Sequence, residues 1–393
     1  MSEGMSPDFS ALGRRPRIAV LFDRLGPYHH ARLRAAAEQA EIIAIEMSDV
    51  DHIYAWDKVD RASAFSQFTL FGEHDAARAS IHGVLARLSK VLHAVEPDAV
   101  AVPGWADKGA LAGLAWCAAN RTPAIVMSAS TRHDYERRMW KELLKRQILR
   151  LSSAALAGGQ AQADYLVDLG VARDRISVGY DVVDNTHFAQ GAANARANEA
   201  YFRKNLSLPQ HYFMTTSRFV RKKNLARLLE AYAAYTRLAG DQKWGLVLLG
   251  DGAERASVES DIVRLGISDL VVLPGFKQYD ELPAYYGLAD CFVLASLSEQ
   301  WGLVVNEAMA SGLPVLVSRH CGCAPDLVRE GVNGFTFDPQ DVMVLASLMA
   351  RIAAVDCDRA AMSAASLDRI AHWSPARFSS GLLQAARCAG VGS

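Results

Sequence analysis

The chain has 393 residues, of which 51% are apolar, so it is long enough to bury two hydrophobic cores and is expected to form two domains. Its formal net charge of −1 gives no reason to expect a nucleic acid partner. The N-terminus lacks the apolar core of a signal peptide, and no uninterrupted apolar run has spanning length, so neither secretion by that route nor an integral membrane protein is expected.

The six cysteines are few for this length, which fits a reducing compartment, and the predicted location is cytoplasmic. Cys321 and Cys323 are separated by one residue, not by the two residues of a zinc or thioredoxin-type pair. This spacing favours a turn over a metal site.

Short apolar runs alternate with helical patterns through the first half of the chain. Residues 1–16 are predicted to be a disordered tail. Strands are predicted over residues 17–22, 41–47, 98–102, 123–128, 154–157 and 175–179, and helices up to residue 37 and over residues 76–95 and 108–119. Strands separated by helices predict a parallel sheet with helices on both faces.

Two loops of this half are expected to face a ligand. Gly26 lies in the turn after the first strand, and this turn is expected to open on a ligand cleft. Residues 49–72 are predicted to be irregular, and their aromatic side chains indicate a packed insertion or the wall of an acceptor site. These side chains are Tyr54, Trp56, Phe65, Phe68 and Phe71.

A basic amphipathic helix is predicted over residues 132–150. Seven basic and three acidic side chains give this segment a net charge of +4, and its apolar residues recur at helical spacing. Two interpretations stay open: a solvated helix that packs on the sheet, or a helix that contacts anionic lipid headgroups near a lipid-linked acceptor.

The second half repeats the alternation after a linker predicted over residues 190–211. A strand over residues 212–217 leads into four cations within six residues, Arg218, Arg221, Lys222 and Lys223. Like charges repel and helix N-termini disfavour cations, so a bound diphosphate is expected to neutralise them; a solvated basic turn is the alternative. A strand over residues 246–249 ends at Gly250, a second turn expected at the crevice.

The stretch from Ser298 to Ser311, S-E-Q-W-G-L-V-V-N-E-A-M-A-S, lies between two strand-like runs. It predicts a loop and a helix at the carboxyl end of a strand, where open parallel sheets bind ligands. Gly302 lets the backbone approach a ligand, and the amides from Leu303 onward form the positive end of the helix, which suits a phosphate. Glu299 and Glu307 are both expected to face the crevice.

Glu307 lies in an almost wholly apolar helix, so its carboxylate is expected to need a hydroxyl or a cation as its partner. The structural alternative is that Glu299 caps the helix electrostatically and Glu307 meets an internal Arg or Lys.

Five segments of the second half together resemble a retaining glycosyltransferase of family 4, with the architecture called GT-B. They are S-R-F-V-R-K-K-N, L-L-G-D-G, L-P-G-F, A-D-C-F-V-L-A-S-L-S-E-Q-W-G-L-V-V-N-E-A-M-A-S-G-L-P-V and D-L-V-R-E-G-V-N-G-F. The resemblance implies an α/β fold of two Rossmann-like doubly wound domains facing a cleft. The acceptor domain would span residues 17–189 and the nucleotide-sugar domain residues 212–370, with a C-terminal helix over residues 371–393 that can pack back on the first domain.

The resemblance also implies a role for each matching side chain. Arg218 and Lys223 would bind the donor diphosphate, Glu307 the ribose hydroxyls and Glu299 the hydroxyls of the donor sugar. Further contacts would come from backbone or turns at strand ends: Gly302 and Leu303 near the phosphate and sugar, Phe276 and Lys277 near the base, Gly250 at the crevice, and Gly26 as the glycine turn of the first domain.

One position departs from the family. Many relatives place a His shortly after the strand equivalent to residues 123–128, where it contacts the transferred sugar, but this chain has Ser128, Ala129 and Ser130 there. His133 is the nearest candidate for that role.

The implied activity is the transfer of a sugar from a nucleoside diphosphate sugar to a glycan or a lipid-linked acceptor, in the synthesis of cell-surface polysaccharide or glycolipid. Cations and helix amides that stabilise the departing diphosphate are expected to contribute most to catalysis. No carboxylate cluster resembles a magnesium site, so no metal or other cofactor is expected. A reversible contact with the anionic inner face of the membrane is expected from the basic helix.

Two alternatives to a transferase stay open. One is a nucleotide-sugar epimerase or phosphorylase of the same fold, and the other is a catalytically silent nucleotide-sugar-binding protein. The intact set of Arg218, Lys223, Glu299 and Glu307 argues against a silent protein.

Overall fold

The computed structural model describes residue 9 and residues 12–48, 64–72, 79–134 and 137–392. The chain divides into two compact units, Met1–Asp184 with Trp373–Ser393, and Asn185–His372. The chain therefore builds most of the first unit, completes the second unit, and then returns to the first. Most of the predicted N-terminal tail and residues 49–63 of the predicted aromatic loop lie outside the described residues.

Among its described residues, the first unit contains one sheet of seven parallel strands. They are β1 (Arg17–Phe22), β2 (Glu41–Ser48), β3 (Ser66–Phe71), β4 (Ala99–Pro103), β5 (Ala124–Ser128), β6 (Ala154–Ala157) and β7 (Ile176–Val178). Their order is β3-β2-β1-β4-β5-β6-β7, so the order in which strands are added to the sheet reverses between β1 and β4, while all strands stay parallel. Residues 18–22 are all buried, which explains why a strand covered on both faces reads as one continuous apolar run.

Five helices connect these strands within the described part of the unit. They are α1 (Pro27–Ala37), α2 (Ile81–Val95), α3 (Lys108–Asn120), α4 (Met139–Leu149) and α5 (Gln160–Asp168). Side-chain caps fix two of the starts, because Ser80 accepts a hydrogen bond from Gly83 N and Asp107 accepts one from Ala110 N. The helix predicted from residue 76 therefore begins at Ile81.

The sheet of the second unit has six parallel strands among the described residues. They are β8 (Tyr212–Thr216), β9 (Gly245–Leu249), β10 (Val271–Gly275), β11 (Cys291–Leu294), β12 (Val315–Ser318) and β13 (Gly334–Phe337). Their order is β10-β9-β8-β11-β12-β13, which reverses direction between β8 and β11. Ligands of doubly wound sheets bind outside the carboxyl ends of the strands at such a reversal.

The helices of this unit are α6 (Asn185–Ala197), α7 (Glu199–Leu206), α8 (Leu225–Ala239), α9 (Arg255–Arg264), α10 (Leu282–Leu288), α11 (Leu303–Ala310), α12 (Ala324–Leu327), α13 (Val342–Ala353) and α14 (Arg359–Ala371). Together with the two parallel sheets, they confirm the predicted α/β class with two doubly wound domains.

The linker predicted over residues 190–211 is wrong, because α6 and α7 occupy most of it. Phe188, Ala192 and Ala195 recur at helical spacing and are buried. A Cβ at Gly191 would lie 2.4 Å from Pro283 Cβ, so α6 packs closely on α10. The segment lacks a strand pattern because it is helical, not because it is a loose connection.

The final helix, α15 (Pro375–Cys388), belongs to the first unit and packs on α1 and on the last strands of that sheet. A Cβ at Gly381 would lie 2.6 Å from the carbonyl oxygen of Val178, so the helix lies directly on β7. The C-terminal segment thus completes one face of the first unit.

Two further predictions for the first unit need correction. The end of the loop predicted over residues 49–72 is the edge strand β3, whose partly exposed sequence S-Q-F-T-L-F lacks the continuous apolar run of a buried strand. The basic helix predicted over residues 132–150 begins only at Met139. Among the described residues, no helix combines the length and the apolar content needed to cross a membrane.

Candidate active site

The loops at the carboxyl ends of the second sheet are tied together by backbone hydrogen bonds. Ser217 N donates to Leu249 O at 3.0 Å and links the ends of β8 and β9, and Gly250 N donates to Gly275 O at 2.9 Å and links β9 to β10. Across the reversal of the sheet, Leu297 N donates to Lys222 O at 2.8 Å. These bonds hold the predicted donor-site loops along one edge.

Gly250 is required by this arrangement. Its φ is +124°, and a Cβ would lie 1.8 Å from the carbonyl oxygen of Ser217. Only glycine allows the ends of β8 and β9 to approach this closely. The role of Gly250 is therefore to bring the basic loop after β8 and the turn after β9 together.

The four cations after β8 have different environments. Arg218, Arg221 and Lys222 are exposed, whereas the side chain of Lys223 is only 12% exposed. Lys223 Nζ forms an ion pair with Glu299 Oε2, and Lys222 Nζ lies 3.5 Å from Glu299 Oε1. The structure thus brings together Lys223 and Glu299, two residues that the sequence assigned to one site from positions 76 residues apart.

Glu299 is held as an anion by these two lysines. Burial alone would raise the pKa of its carboxyl, but the charge and the hydrogen bond of Lys223, supported by Lys222, outweigh burial and hold the pKa below its ordinary value. A ligand phosphate that approaches Lys223 must therefore share this cation with Glu299, or displace Glu299 as its partner.

Helix α11 begins beside this pair. Gly302 is its N-cap residue, with a φ of +111° that favours glycine, and a Cβ there would lie 3.1 Å from Leu294 Cδ2. Gly302 has no side chain to cap the helix, and the first turn contains no acidic residue. The amides that begin with Leu303 therefore give the helix end the positive character that suits an anion.

The loop before α11 is held on two sides. Gly322 N donates to Glu299 O at 2.9 Å, and Cys323 N donates to Trp301 O at 3.1 Å. The buried indole of Trp301 donates to Asn306 Oδ1 at 2.8 Å. Glu299 and Gly302 are consequently placed by a rigid frame.

The predicted turn at Cys321 and Cys323 is part of this frame, and both cysteines are buried as free thiols. Burial raises the pKa of both, so they remain protonated. Within the described part of the chain, no group of three or more His, Cys, Asp or Glu side chains is arranged to hold a metal ion.

Glu307 lies in the second turn of α11 and is only 1% exposed. The hydroxyl of Tyr286, on α10, donates to Glu307 Oε2 at 2.8 Å. Burial and the neighbouring Glu307 carboxylate hold the pKa of Tyr286 well above its ordinary range, so this hydroxyl keeps its proton and is the donor. The structure therefore provides a hydroxyl partner of the kind that the sequence required for Glu307.

Phe276 and Lys277 follow β10 on the same edge of the sheet. The backbone turns there at Gly275, whose φ is +79°. Phe276 is 41% exposed, and Lys277 Nζ lies 3.6 Å from Glu281 Oε1 and 5.8 Å from the centre of the Tyr285 ring. The role of this backbone in contacting a base stays a prediction.

The two candidates of the first unit lie at separate strand ends of its own sheet. Gly26 caps α1 with a φ of −107°, a conformation open to any residue, and Gly26 N donates to His29 Nδ1 at 3.0 Å. Burial lowers the pKa of His29 to about 3, so the ring stays neutral and accepts this bond. His133 is exposed, in a turn after β5 where its amide donates to Thr131 Oγ1.

Sequence reasoning missed three residues that support candidate residues, two in the second unit and one in the first. Tyr286 holds Glu307, Asn306 holds Trp301, and Glu46 accepts a hydrogen bond from Leu25 N at 3.0 Å and so supports the turn before Gly26. Glu46 carries the one signal readable in advance, because an acid within the apolar pattern of β2 needs donors when it is buried.

Comparison with known proteins agrees with this geometry. A family model described as "Glycosyl transferases group 1" matches residues 197–367. This stretch contains the predicted site residues of the second unit, so the resemblance to a glycosyltransferase inferred from the sequence motifs is confirmed over it.

Curated relatives cover part of the chain. The D-inositol 3-phosphate glycosyltransferase of Thermobifida fusca (strain YX) is 31% identical over 250 residues, which is 61% of this chain and 56% of that protein. The amylovoran biosynthesis glycosyltransferase AmsK of Erwinia amylovora is 30% identical over 151 residues, which is 37% of this chain and 36% of that protein. The chain thus spans about half the length, or less, of these curated relatives.

Solved structures match nearly the whole chain. The crystal structure of Anabaena Alr3699/HepE in complex with UDP superposes with a TM-score of 0.71 at 18% sequence identity, and covers 92% of this chain and 97% of that chain. At this identity the likeness shows the fold, and it confirms the prediction of a GT-B architecture.

Proposed function

We propose, from the match of residues 197–367 to the family model of the group 1 glycosyl transferases, that this protein is a retaining hexosyltransferase. Its donor is a nucleoside diphosphate sugar, and its acceptor is a glycan or a lipid-linked sugar. The observation that carries this proposal is the ion pair of Lys223 and Glu299 beside the uncapped N-terminus of α11, at the reversal of a doubly wound sheet. The UDP in the complex of HepE supports a nucleoside diphosphate as the ligand.

In this proposal the second unit stabilises the leaving group. A nucleoside diphosphate leaves readily once its charge is neutralised, and preorganised donors aimed at the developing charge provide the main catalytic contribution. Lys223 and Arg218 supply cations, and the amides of α11 from Leu303 onward supply dipoles. Glu299, relieved of Lys223 by the diphosphate, accepts hydrogen bonds from the donor sugar, while Glu307 accepts those of the ribose.

The chemistry is proposed to be retaining, as the family resemblance implies. It is also proposed to be metal-independent, because no carboxylate cluster in the sequence resembles a magnesium site. The cations named above provide the neutralisation that a divalent metal provides in other transferases. Turnover is accordingly expected to be unchanged by EDTA, and the product is expected to keep the anomeric configuration of the donor sugar in NMR spectra.

The acceptor side is proposed to include an anionic membrane surface, which helix α4 contacts. Ile148 and Leu149, at its C-terminal end, pack in the core of the first unit. Four apolar side chains nearer its start point away from the protein, with exposed fractions of 80% for Met139, 59% for Trp140, and 54% for both Leu143 and Leu144. A solvated helix packed on the sheet, one of the two interpretations of the sequence, does not account for this. Contiguous exposed apolar surface on a soluble protein marks an interaction site.

Polar side chains of α4 make most of the remaining contacts of this helix with the first unit. Glu142 and Lys145 both bond to the hydroxyl of Tyr165 on α5, and Arg146 donates to Asp168 O at 2.9 Å. The apolar face with basic neighbours such as Arg138 and Lys141 is thereby left outward. This arrangement suits insertion at a headgroup boundary, with the protein in the cytoplasm and peripheral to the inner face of the membrane.

The direct test of the proposed activity is incubation with UDP-, GDP- and ADP-sugars, with and without a lipid-linked acceptor, while released nucleoside diphosphate is measured. We expect release with one donor, strongly increased by the acceptor. Conversion of the donor into an isomeric nucleotide sugar would indicate an epimerase, and release of nucleoside diphosphate that depends on inorganic phosphate would indicate a phosphorylase. Binding of a donor without any turnover would indicate the silent binding protein.

The membrane contact is tested by sedimentation with vesicles of neutral or anionic lipid at low and high salt. Each basic residue near an anionic surface contributes on the order of 1 kcal/mol, and salt screens this attraction. We expect co-sedimentation with anionic vesicles that weakens at high salt. Equal behaviour with both lipids at both salt concentrations would favour a soluble acceptor.

A further inference from the structure

A buried tyrosine stands behind the carboxylate proposed to bind the ribose. Tyr286 and Glu307 come from different helices, α10 and α11, and both are buried where the hydroxyl meets Glu307 Oε2. A carboxylate out of reach of bulk water needs such a donor to stay ionised and oriented. The orientation of Glu307 therefore depends on a residue 21 positions earlier in the chain.

The ring of Tyr286 is fixed on both sides. Phe188 of α6 meets it edge-on with ring centres 5.8 Å apart, and Phe292 of β11 lies tilted at the same distance. The next residue must be a glycine, because a Cβ at Gly287 would lie 2.7 Å from Ala192 Cα. The hydroxyl therefore occupies one position set by the packing of α10 between α6 and the sheet.

From this geometry we propose that Tyr286 is a positioning residue that sets the preference of the enzyme for ribonucleotides. Its hydroxyl fixes one oxygen of Glu307, and the carboxylate then meets the ribose hydroxyls without first reorienting. This inference rests on the proposed function, because it takes the ribose as the ligand of Glu307. A preorganised acceptor binds more tightly than one that must be ordered on binding.

The consequence is specific to the sugar of the nucleotide. A Tyr286→Phe variant keeps the ring and its packing but removes the donor, so the Glu307 carboxylate loses its fixed orientation. Affinity for a ribonucleoside diphosphate then falls, whereas a 2′-deoxyribonucleotide, which lacks one of the hydroxyls, loses much less. If the Tyr286 hydroxyl contributed only to the stability of the fold, Tyr286→Phe would lower the affinity for both nucleotides equally.

Tyr212 provides a matched control. It is also buried, and its hydroxyl donates at 2.6 Å to the carbonyl oxygen of Tyr285, on the same helix as Tyr286. Tyr212→Phe therefore removes a buried tyrosine hydroxyl that is bonded to α10 but not to Glu307. Both variants are expected to melt at lower temperature than the wild type, by similar amounts.

The experiment is calorimetric titration of the wild type and both variants with UDP, GDP and ADP and with their 2′-deoxy forms, together with donor kinetics. For the nucleotide that the wild type binds, Tyr286→Phe is expected to lower the affinity for the ribonucleotide on the order of tenfold. It is also expected to erase most of the preference over the 2′-deoxy form and to raise KM for the donor more than it lowers kcat. Tyr212→Phe is expected to keep the wild-type preference.

A double variant tests the route of the effect. If Tyr286 acts through Glu307, Tyr286→Phe adds nothing to the affinity loss of Glu307→Gln. Additive losses, or a wild-type ribose preference in Tyr286→Phe, would overturn the inference while leaving the proposed function intact. A wild type that binds none of the three nucleotides would overturn both.

Discussion

Two regions use their charges in opposite ways: the edge of the second sheet formed by the carboxyl ends of its strands, and helix α4 of the first unit. At the edge, Lys223 and Glu299 neutralise each other in a partly buried pair, and Glu307 is bonded to Tyr286. On α4 the polar side chains bond to α5, and the exposed face is apolar with basic neighbours. The first arrangement suits a small charged molecule held in one orientation, and the second suits a broad surface.

The largest effect is expected from Lys223→Met. The variant removes the least exposed of the four cations after β8, and removing one preorganised donor to a leaving group costs about 100- to 1,000-fold in kcat. Steady-state release of nucleoside diphosphate measures this. The cooperative melt is expected to persist, because the pair lies at the edge of the sheet and not in its core.

Lys222→Met is the matched control for this substitution. The Lys222 side chain is 48% exposed, and its Nζ lies 3.5 Å from Glu299 Oε1. Its removal is therefore expected to reduce kcat far less than Lys223→Met does. Equal losses in both variants would assign the effect to total charge and not to the site of Lys223. Loss of cooperative melting in Lys223→Met would indicate a structural ion pair.

The two acids of the edge are expected to separate binding from turnover. Glu307→Ala removes the proposed acceptor for the ribose and is expected to weaken nucleotide binding by about 10- to 100-fold, as for other hydrogen bonds to charged groups. Glu299→Ala is expected to lower kcat mainly, because Glu299 is proposed to contact the sugar that is transferred. Calorimetry and donor kinetics on both variants check this, and unchanged nucleotide affinity in Glu307→Ala would contradict the ribose assignment.

The other side of the comparison is tested by Leu143→Ser on α4. Full burial of a leucine side chain in an apolar medium contributes about 1.5 to 3 kcal/mol, but Leu143 is 54% exposed and can gain only about half of this. Binding to anionic vesicles is therefore expected to weaken about 4- to 15-fold. Leu238→Ser on α8 is the control, since that leucine is 58% exposed in the second unit against 54% for Leu143. Equal vesicle binding by the two variants would exclude α4 as the contact.

The smallest expected effect is on the pH dependence of stability. In the first unit, burial raises the pKa of Asp181 to about 6, opposed by Arg32 at 3.9 Å, whereas the pKa of Glu299 is lowered. A carboxyl whose pKa is raised by folding stabilises the folded state fully below its ordinary pKa, and for Asp181 this stabilisation is lost as pH rises through about 6. A carboxyl whose pKa is lowered by folding, such as Glu299, stabilises the folded state above its ordinary pKa. This second contribution is lost as pH falls through the pKa of the folded state.

Asp181→Asn is therefore expected to flatten the decline of melting temperature between about pH 4 and pH 6, whatever its overall stability. Glu299→Gln is expected to change the curve only below about pH 4, where the wild type loses the contribution of its pair. Melting curves from pH 3 to pH 7 measure both slopes. Parallel curves for wild type and Asp181→Asn would show that folding leaves the pKa of Asp181 at its ordinary value.

Prediction from sequence succeeded where the chemistry of a segment is local. The buried strands of both sheets appear as apolar runs because both of their faces are covered. It failed for β3, since a half-exposed edge strand has no such run, and for α6, whose alternating small and polar residues hide a helical stripe of Phe188, Ala192 and Ala195. Packing against α10 determines the structure of that segment, and the partner is distant in sequence.

The candidate site shows the same limit. The sequence indicated that Glu307 needs a partner, but whether this was a hydroxyl or a cation depended on α10, which the fold alone places beside α11. The cluster of four cations was evident, yet burial distinguishes Lys223 from its exposed neighbours only in the folded structure. For α4 the amphipathic pattern was correct, whereas its orientation depended on the contacts with Tyr165.

The most direct test of the central claim is calorimetric titration of wild type and Lys223→Met with the nucleoside diphosphate that binds, and with the same nucleoside lacking phosphates. If the edge of the second sheet is the donor site, the diphosphate binds the wild type tightly and the variant at least tenfold more weakly, and the nucleoside binds both proteins equally. Equal diphosphate affinity in the two proteins would contradict the assignment of this edge as the donor site. Failure of the wild type to bind any of UDP, GDP and ADP would contradict it as well.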